Sequence, residues 1–438
     1  MKTMLLDKIK YLSPGIDNNG RAFRCGNEIY REIYPHAQPF CRSLLIDKQL
    51  IKELTEIGFV ETEISEFDEK SQKLILKHEK MPFISYCIEW SFDMLKDAAL
   101  IIIDLVRILY THNLTLKDGH PYNILFNYTK PIFIDFSSIM KSDSRKKSAW
   151  EASFHGEFVV PLLMQSNNLK RILRWYSYWE NKPEQKGRFY SYFYKLWLLW
   201  RIFFADKRDC YYSFRALENF VRKIKLKQYN TEWENYYSRG QTAKFEDSTL
   251  YTNKEKSAIY YMELLFSKGQ KTLLDIGANE GWFSLAAEKI GYEVVAFDCD
   301  ERSINNLYTK IRGTNKKILP LVMDFTKPTE RYGIGNVWMC ASDRLKCDVT
   351  LSMAVLHHLT LTQNMHFEEF AERLASFTKN YAIIEFVGRE DIHIRNRLAN
   401  KDWYTEQNFL KAMEKIFCLQ SELVSEPNTR KVFLFKKL

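Results

Sequence analysis

Residues 273–281 read Leu273-Leu-Asp-Ile-Gly-Ala-Asn-Glu-Gly281, and this run decides the fold. Thr272, Leu273, Leu274 and Ile276 make a short apolar strand. Gly277 and Gly281 let the backbone turn tightly and lie close to a bound ligand. Trp282, Leu285, Ala286, the stem of Lys289 and Ile290 then recur at helical spacing. A second strand, Glu293-Val-Val-Ala-Phe297, follows and ends in Asp298. Strand, glycine turn, helix and strand open a doubly wound α/β sheet.

A carboxylate at the tip of the second strand, about twenty residues beyond the first turn, is placed to accept hydrogen bonds from ribose hydroxyls. That geometry serves dinucleotides and S-adenosylmethionine alike, and the loop separates them. A dinucleotide site wants G-x-G-x-x-G and a bare helix N-terminus for the pyrophosphate. Here the glycines are Gly277 and Gly281, with Asn279 between them and Asp275 before them. An acidic residue at the first strand's end suits a cationic ligand and repels a pyrophosphate. The methionine part of S-adenosylmethionine carries an ammonium and a sulfonium. The run resembles motif I of the class I S-adenosylmethionine-dependent methyltransferases.

Downstream, the pattern alternates: strand 318–322, strand 348–352, helix 366–379, strand 381–387, helix 405–415 and strand 431–435. Helix 301–311 precedes them, and a helix over Ser257–Phe266 leads into the cofactor strand. The C-terminal domain, 257–438, is therefore expected to be a doubly wound, Rossmann-like domain. Residues 226–256 are polar and without clear periodicity, and are read as a linker behind a first domain of 1–225. In class I methyltransferases the acceptor sits beyond the fourth strand, here Cys347–Ser352, which is followed by His357 and His358. A histidine there can take a proton from an acceptor, because its pKa lies near neutrality. The alternative is that one caps the following helix and the other packs. Asp324 is placed to accept from the adenine amino group and Phe325 to cover the ring. Arg344 and Glu385, carried over from the family pattern, face the site region. Glu385 ends the strand Ala382-Ile-Ile-Glu385, and either orients the acceptor or pairs with an arginine.

The first half mixes hairpin strands (Ala22–Cys25 and Glu28–Tyr34), one helix over Gln49–Gly58, strands over Phe59–Ile64 and Leu74–Glu79, and a strong helix over Leu95–His112. After that helix comes Asp118-Gly-His-Pro-Tyr-Asn123, and then Pro131-Ile-Phe-Ile134 delivers Asp135. An Asp five residues before an Asn, then a strand ending in Asp-Phe, resembles the catalytic loop and metal-binding strand of the kinase superfamily, with the aminoglycoside-phosphotransferase and lipopolysaccharide-kinase branches nearest. The resemblance implies that Asp118 accepts a hydroxyl proton and that Asn123 and Asp135 hold Mg²⁺ against ATP. By position, Arg31 stands where that family carries a lysine. No G-x-G-x-x-G loop precedes it, and Ser137 replaces the expected glycine. A scaffold that binds without turnover is the alternative to an active phosphotransferase.

The combination of both halves resembles the bacterial methyltransferases related to a host-specific nodulation protein. Arg21–Gly58, Lys117–Trp150, Thr231–Tyr237 and Thr272–Phe409 carry that likeness. The fold class expected is α/β plus α+β, a class I methyltransferase domain preceded by a protein-kinase-like domain. The cofactor expected is S-adenosylmethionine, with Mg·ATP added if the first half is active. The acceptor expected is a hydroxyl, phosphate or amine of a saccharide or other secondary metabolite.

With 438 residues, 46% of them hydrophobic, the chain can bury two or three full cores. A net charge of +9 permits acidic partners and selects none. Nucleic acid is not expected, since no Asn-Pro-Pro-Tyr motif and no basic stripe interleaved with aromatics occurs. The eight cysteines show no zinc-ligand spacing and read as reduced, buried thiols of a cytosolic protein. The N-terminus lacks a signal-peptide core, and Ala98–Tyr110 and Leu196–Phe204 are too short to span a bilayer, so a cytoplasmic location is expected. An aromatic stripe from Tyr190 to Phe204 reads as helical core. Oligomeric state is left open.

Overall fold

In a computed structural model, the structure describes residues 9–12, 17–65, 73–142, 149–166, 210–226, 245, 247–333 and 338–438. The aromatic stripe from Tyr190 to Phe204 and the segment Thr231–Tyr237 lie outside them. The chain divides into two compact units, Met1–Tyr229 and Asn230–Leu438, apart from Gly333–Val337. No helix among the described residues is long and apolar enough to cross a membrane.

The first unit opens with short strands β1 (Ile9–Tyr11), β2 (Gly20–Cys25), β3 (Glu28–Ile33), β4 (Thr62–Ile64) and β5 (Leu74–His78). They form an antiparallel sheet in the order β1-β2-β3-β5-β4. Two helices, Gln38–Ile46 and Lys48–Ile57, fall between β3 and β4, where the sequence suggested one. Asp47 divides them: its side chain accepts from the Leu50 amide and caps the second helix. Gly58, at φ 117°, ends that helix in a conformation only glycine adopts readily. The long helix Phe92–Thr111 buries eleven of its residues. Beyond it run β6 (Leu114–Leu116), β7 (Ile124–Asn127), β8 (Lys130–Phe133) and β9 (Ile139–Lys141). The β6–β9 and β7–β8 pairs bring residues 117–123 beside residues 134–138. Two bonds fix that juncture, from the Lys117 amide to the Ser138 carbonyl (2.7 Å) and from the Ile134 amide to the Asn123 carbonyl (2.8 Å).

The first α-helix described in the second unit, Asn253–Ser267, starts four residues inside the stretch read as linker and otherwise matches the helix expected over Ser257–Phe266. Thr252 and Glu255 cap it reciprocally. Then come β10 (Thr272–Ile276), β11 (Glu293–Asp298), β12 (Ile318–Val322), β13 (Cys347–Ser352), β14 (Thr378–Val387), β15 (Phe417–Val424) and β16 (Arg430–Lys437). Helices Trp282–Ile290, Glu301–Ile311, Phe367–Phe377 and Glu406–Met413 alternate with them. The strand order is β12-β11-β10-β13-β14-β16-β15. The first five strands are parallel, whereas β16 pairs antiparallel with both β14 and β15. The interiors of β10 to β12 are buried at consecutive positions, as parallel strands covered on both faces must be, with Asp275 the one acidic residue among them. The order reverses between β10 and β13, and open α/β sheets bind ligands at such a switch point. Strand β15 was not expected: most of its residues face solvent, and a register shift near Leu419 breaks any apolar alternation.

Cysteines depart from expectation. Cys41, Cys87 and Cys347 are buried free thiols, but Cys299 and Cys418 are exposed and Cys25 and Cys340 are half-buried.

Candidate functional site

The switch point opens into a crevice whose floor is the turn after β10. Gly277, Asn279 and Gly281 hold φ angles of 72°, 50° and 81°. A Cβ on Gly277 would sit 2.3 Å from Val355 Cγ2, so nothing larger than glycine fits between the turn and the loop after β13. Amides of Gly277 and Ala278 donate to the Phe297 carbonyl at 2.9 and 3.0 Å, which ties the turn to β11.

Asp275 and Asp298 both line this crevice. Asp275 is 2% exposed and accepts from Ser284 Oγ at 2.6 Å. Burial pushes its carboxyl up to about 7; the Ser284 hydrogen bond opposes the rise and the Asp298 charge adds to it. Asp298 accepts from the Asn279 amide (2.9 Å) and the Asp300 amide (2.8 Å), one on each oxygen. Burial raises its pKa too, and those two amides pull the other way. Each carboxylate oxygen keeps lone-pair capacity for a further donor. Asp324 and Phe325 line the same end of the site, just past β12. One Asp324 oxygen takes the Thr326 amide and hydroxyl, both at 2.8 Å. Phe325 stacks on Phe297 with ring centroids 6.5 Å apart.

The facing wall is built by Met353, Ala354, Val355, His358, Leu359 and Gln363. His357 and His358 open the short helix Leu356–Leu361, their rings 4.1 Å apart, and the structure separates their environments. His358 lines the crevice; burial, Arg397 and Arg430 lower its pKa to about 4. His357 is buried away from the lining, and its Nδ1 has no hydrogen-bond partner. Burial first, then His358, Arg430 and Lys254, hold it well below the ordinary value, against the pull of Asp391.

Glu385 is fully buried and is not part of the crevice lining. Its Oε1 accepts from Ser425 Oγ at 2.7 Å, and its Oε2 lies 3.5 Å from Lys254 Nζ. Its charged partner is therefore a lysine, not the arginine considered from sequence. Arg344 is also buried and outside the lining, donating from Nε to the Met339 carbonyl at 3.1 Å.

The four residues singled out in the first unit come together. Arg31 on β3 meets Asp17 at 2.9 Å, Asp135 at 3.1 Å and Ser137 Oγ at 2.6 Å. Asn123 Nδ2 donates to Asp118 Oδ1 at 2.6 Å, and His120 Nε2 stands 3.7 Å from that oxygen. Burial raises the Asp118 pKa, His120 works against it, and the Asp135 charge adds to the rise. Mg²⁺ needs oxygen donors in near-octahedral array. Here Arg31 and Ser137 occupy one Asp135 oxygen and Asn123 turns its nitrogen to Asp118, so this pair keeps the Asn123 oxygen and the second Asp135 oxygen as the donors it could offer such an ion. No three His, Cys, Asp or Glu side chains converge as metal ligands among the described residues.

No family model matches the chain. It is similar to nodulation protein NoeA of Rhizobium meliloti (strain 1021), 25% identical over 456 aligned residues that cover 96% of this chain and 94% of NoeA. Three solved structures resemble parts of it. PH0226 protein from Pyrococcus horikoshii OT3 is 16% identical and matches 47% of this chain and 99% of its own, with a TM-score of 0.33. Magnesium protoporphyrin IX methyltransferase (ChlM) from Synechocystis PCC 6803 with bound SAH is 14% identical, over 51% of this chain and 94% of its own, at TM-score 0.32. N-methyltransferase NodS from Bradyrhizobium japonicum WM9 in complex with S-adenosyl-L-homocysteine is 10% identical, over 47% and 99%, at TM-score 0.33.

Sequence reasoning missed Lys254, Phe283 and Gln363 in the crevice lining. It also missed the buried pair of Asp391 with Arg430 (2.7 Å) that stands behind the histidines. Burial alone would raise Asp391, but the Arg430 hydrogen bonds bring it down to about 2. Motif spacing carried no signal for any of them. Lys254 lies in a polar stretch well before β10, and Asp391 and Arg430 are far apart along the chain.

Proposed function

We propose that the chain is an S-adenosylmethionine-dependent methyltransferase acting on a hydroxyl, phosphate or amine of a saccharide or other secondary metabolite. The observation that carries this reading is the pairing of Asp275 and Asp298 around one glycine turn at the switch point, both lining one crevice. The cradle fits the cofactor: a positive-φ turn with no room for a Cβ, two acidic groups, and an apolar wall of Phe297, Phe325 and Met353.

Bound S-adenosylmethionine supplies an activated methyl group. The protein's share is positioning, which for a good leaving group provides much of the acceleration. Asp298 would hold the ribose hydroxyls, Asp324 would accept from the adenine edge and Phe325 would cover the ring. Asp275, once ionised, would present negative charge to the cationic end, with Met353, Ala354 and Val355 lining the crevice beside it. His358 faces the crevice and, with its pKa lowered to about 4, is neutral at pH 7, so it can accept a hydrogen bond from the acceptor but is a weak base. His357, shielded from the crevice, packs behind it.

The first unit is a kinase-like scaffold in this reading, with Arg31 paired to Asp17 and Asp135 and Asn123 hydrogen-bonded to Asp118. Calorimetry on the full chain tests both assignments. S-adenosylmethionine is expected to bind and Mg·ATP is not. Binding of neither sinks the enzymatic reading. Binding of both, with phosphate released, makes the protein bifunctional.

A further inference from the structure

Lys254 is the second residue of the helix that precedes β10, and it is 5% exposed yet lines the crevice. Lysine is rarely that buried unless paired, because removing an ammonium from water is costly. Its pairing here is incomplete. Glu385 Oε2 is 3.5 Å away, and that buried oxygen has no hydrogen-bond partner. Ser425 occupies the other oxygen and fixes the carboxylate in place. Among the described residues, no acceptor stands within hydrogen-bond distance of the three Nζ donors in good geometry. A half-satisfied cation on a crevice wall is a site for an anion.

Strand order says which anion. Asp298 ends β11, and Asp324 with Phe325 follows β12, so the nucleoside end of the proposed cofactor lies over β11 and β12. Glu385, which holds Lys254, is on β14, across β10 and β13 from them. A ligand whose sugar rests on Asp298 and whose cationic centre meets Asp275 extends its far end toward β13 and β14. In S-adenosylmethionine that end bears a carboxylate. Resting on the methyltransferase reading, we infer that Lys254 anchors the methionyl carboxylate and that Glu385 is a positioning residue for Lys254, not a group that handles the acceptor.

Calorimetry with two ligands tests this on the full chain. One is S-adenosylhomocysteine. The other is its decarboxylated analogue, S-adenosyl-3-thiopropylamine, which keeps the ammonium and loses the carboxylate. The unmodified protein is expected to prefer the first by at least about tenfold, ~1.4 kcal/mol. Lys254→Met is expected to bind both equally, at the weaker affinity, while Lys254→Arg keeps most of the preference. Glu385→Gln is expected to shrink the preference several-fold without weakening the decarboxylated ligand. Equal binding by the unmodified protein overturns the inference whatever the variants do, and so does a preference that survives in Lys254→Met. If neither nucleoside binds the unmodified protein, the methyltransferase reading itself falls.

Discussion

Replacing Asp275 by Asn gives a test with a defined pH signature. In the folded chain this carboxyl titrates near 7, against 3.8 for an ordinary aspartate, because burial disfavours its charged form and Asp298 adds to that effect. The folded state therefore holds the proton more tightly than the unfolded state does. The stability linked to that proton is full below about 3.8 and is lost progressively until the pH reaches about 7. The span from 3.8 to about 7, at about 1.4 kcal/mol per tenfold in proton affinity, corresponds to about 4 kcal/mol. Asn does not titrate, and its carbonyl can still accept from Ser284 Oγ. Asp275→Asn should therefore match the parent near pH 4, gain on it steadily up to pH 7, and then run parallel to it. At about 2–4 °C per kcal/mol, the plateau is of the order of 10 °C in the unfolding temperature of the C-terminal unit. Scanning calorimetry of the cofactor-free full chain between about pH 4 and 9 reads this out. A difference that is flat with pH, or that grows toward low pH, refutes the idea that Asp275 is held protonated by its surroundings. The same chemistry predicts that S-adenosylmethionine binds the parent more tightly as pH rises through 7, and that Asp275→Asn loses this dependence.

Other perturbations probe the remaining walls. Gly277→Ala combines a positive φ, worth about 1–2 kcal/mol of strain for any residue with a Cβ, with a contact 2.3 Å from Val355 Cγ2. It should lower the melting temperature and weaken S-adenosylhomocysteine binding more than tenfold, and adding Val355→Ala should recover part of both. Asp391→Ala removes both carboxylate bonds to the buried Arg430 guanidinium, and urea denaturation should show a loss of about 3–5 kcal/mol; a loss below about 1 kcal/mol would mean the pair is not buried in solution. His358, lowered to about 4, stays neutral from pH 5.5 upward. Its ring resonances, assigned through His358→Gln, should not shift between pH 5.5 and 8, and a midpoint near 6.5 contradicts the buried environment.

The turn at the heart of the site was legible because its chemistry is local. A positive φ asks for glycine, and Gly277 and Gly281 answer it whatever the rest of the chain does. Asp298 was legible because a fixed helix–strand length follows the turn. The first-unit cluster was legible for a similar reason: Asp118, Asn123 and Asp135 are close in sequence, and the hairpin of β7 and β8 returns the chain on itself.

Lys254, the split between His357 and His358, and the role of Glu385 were not legible. Adjacent histidines look equivalent in a sequence, yet the roughly 100° step between neighbouring helical residues exposes His358 to the crevice and buries His357 near Arg430 and Asp391. Glu385 found its lysine because the fold brings the start of a helix more than a hundred residues earlier up to β14. Local backbone preference and hydrophobic period are properties of short stretches, so the chain alone determined the turn, the alternation of strands and helices, and the acidic lining. Which side chains face the crevice, which charges lose their water and which partner neutralises each depend on packing between distant segments, and only the tertiary structure decided those.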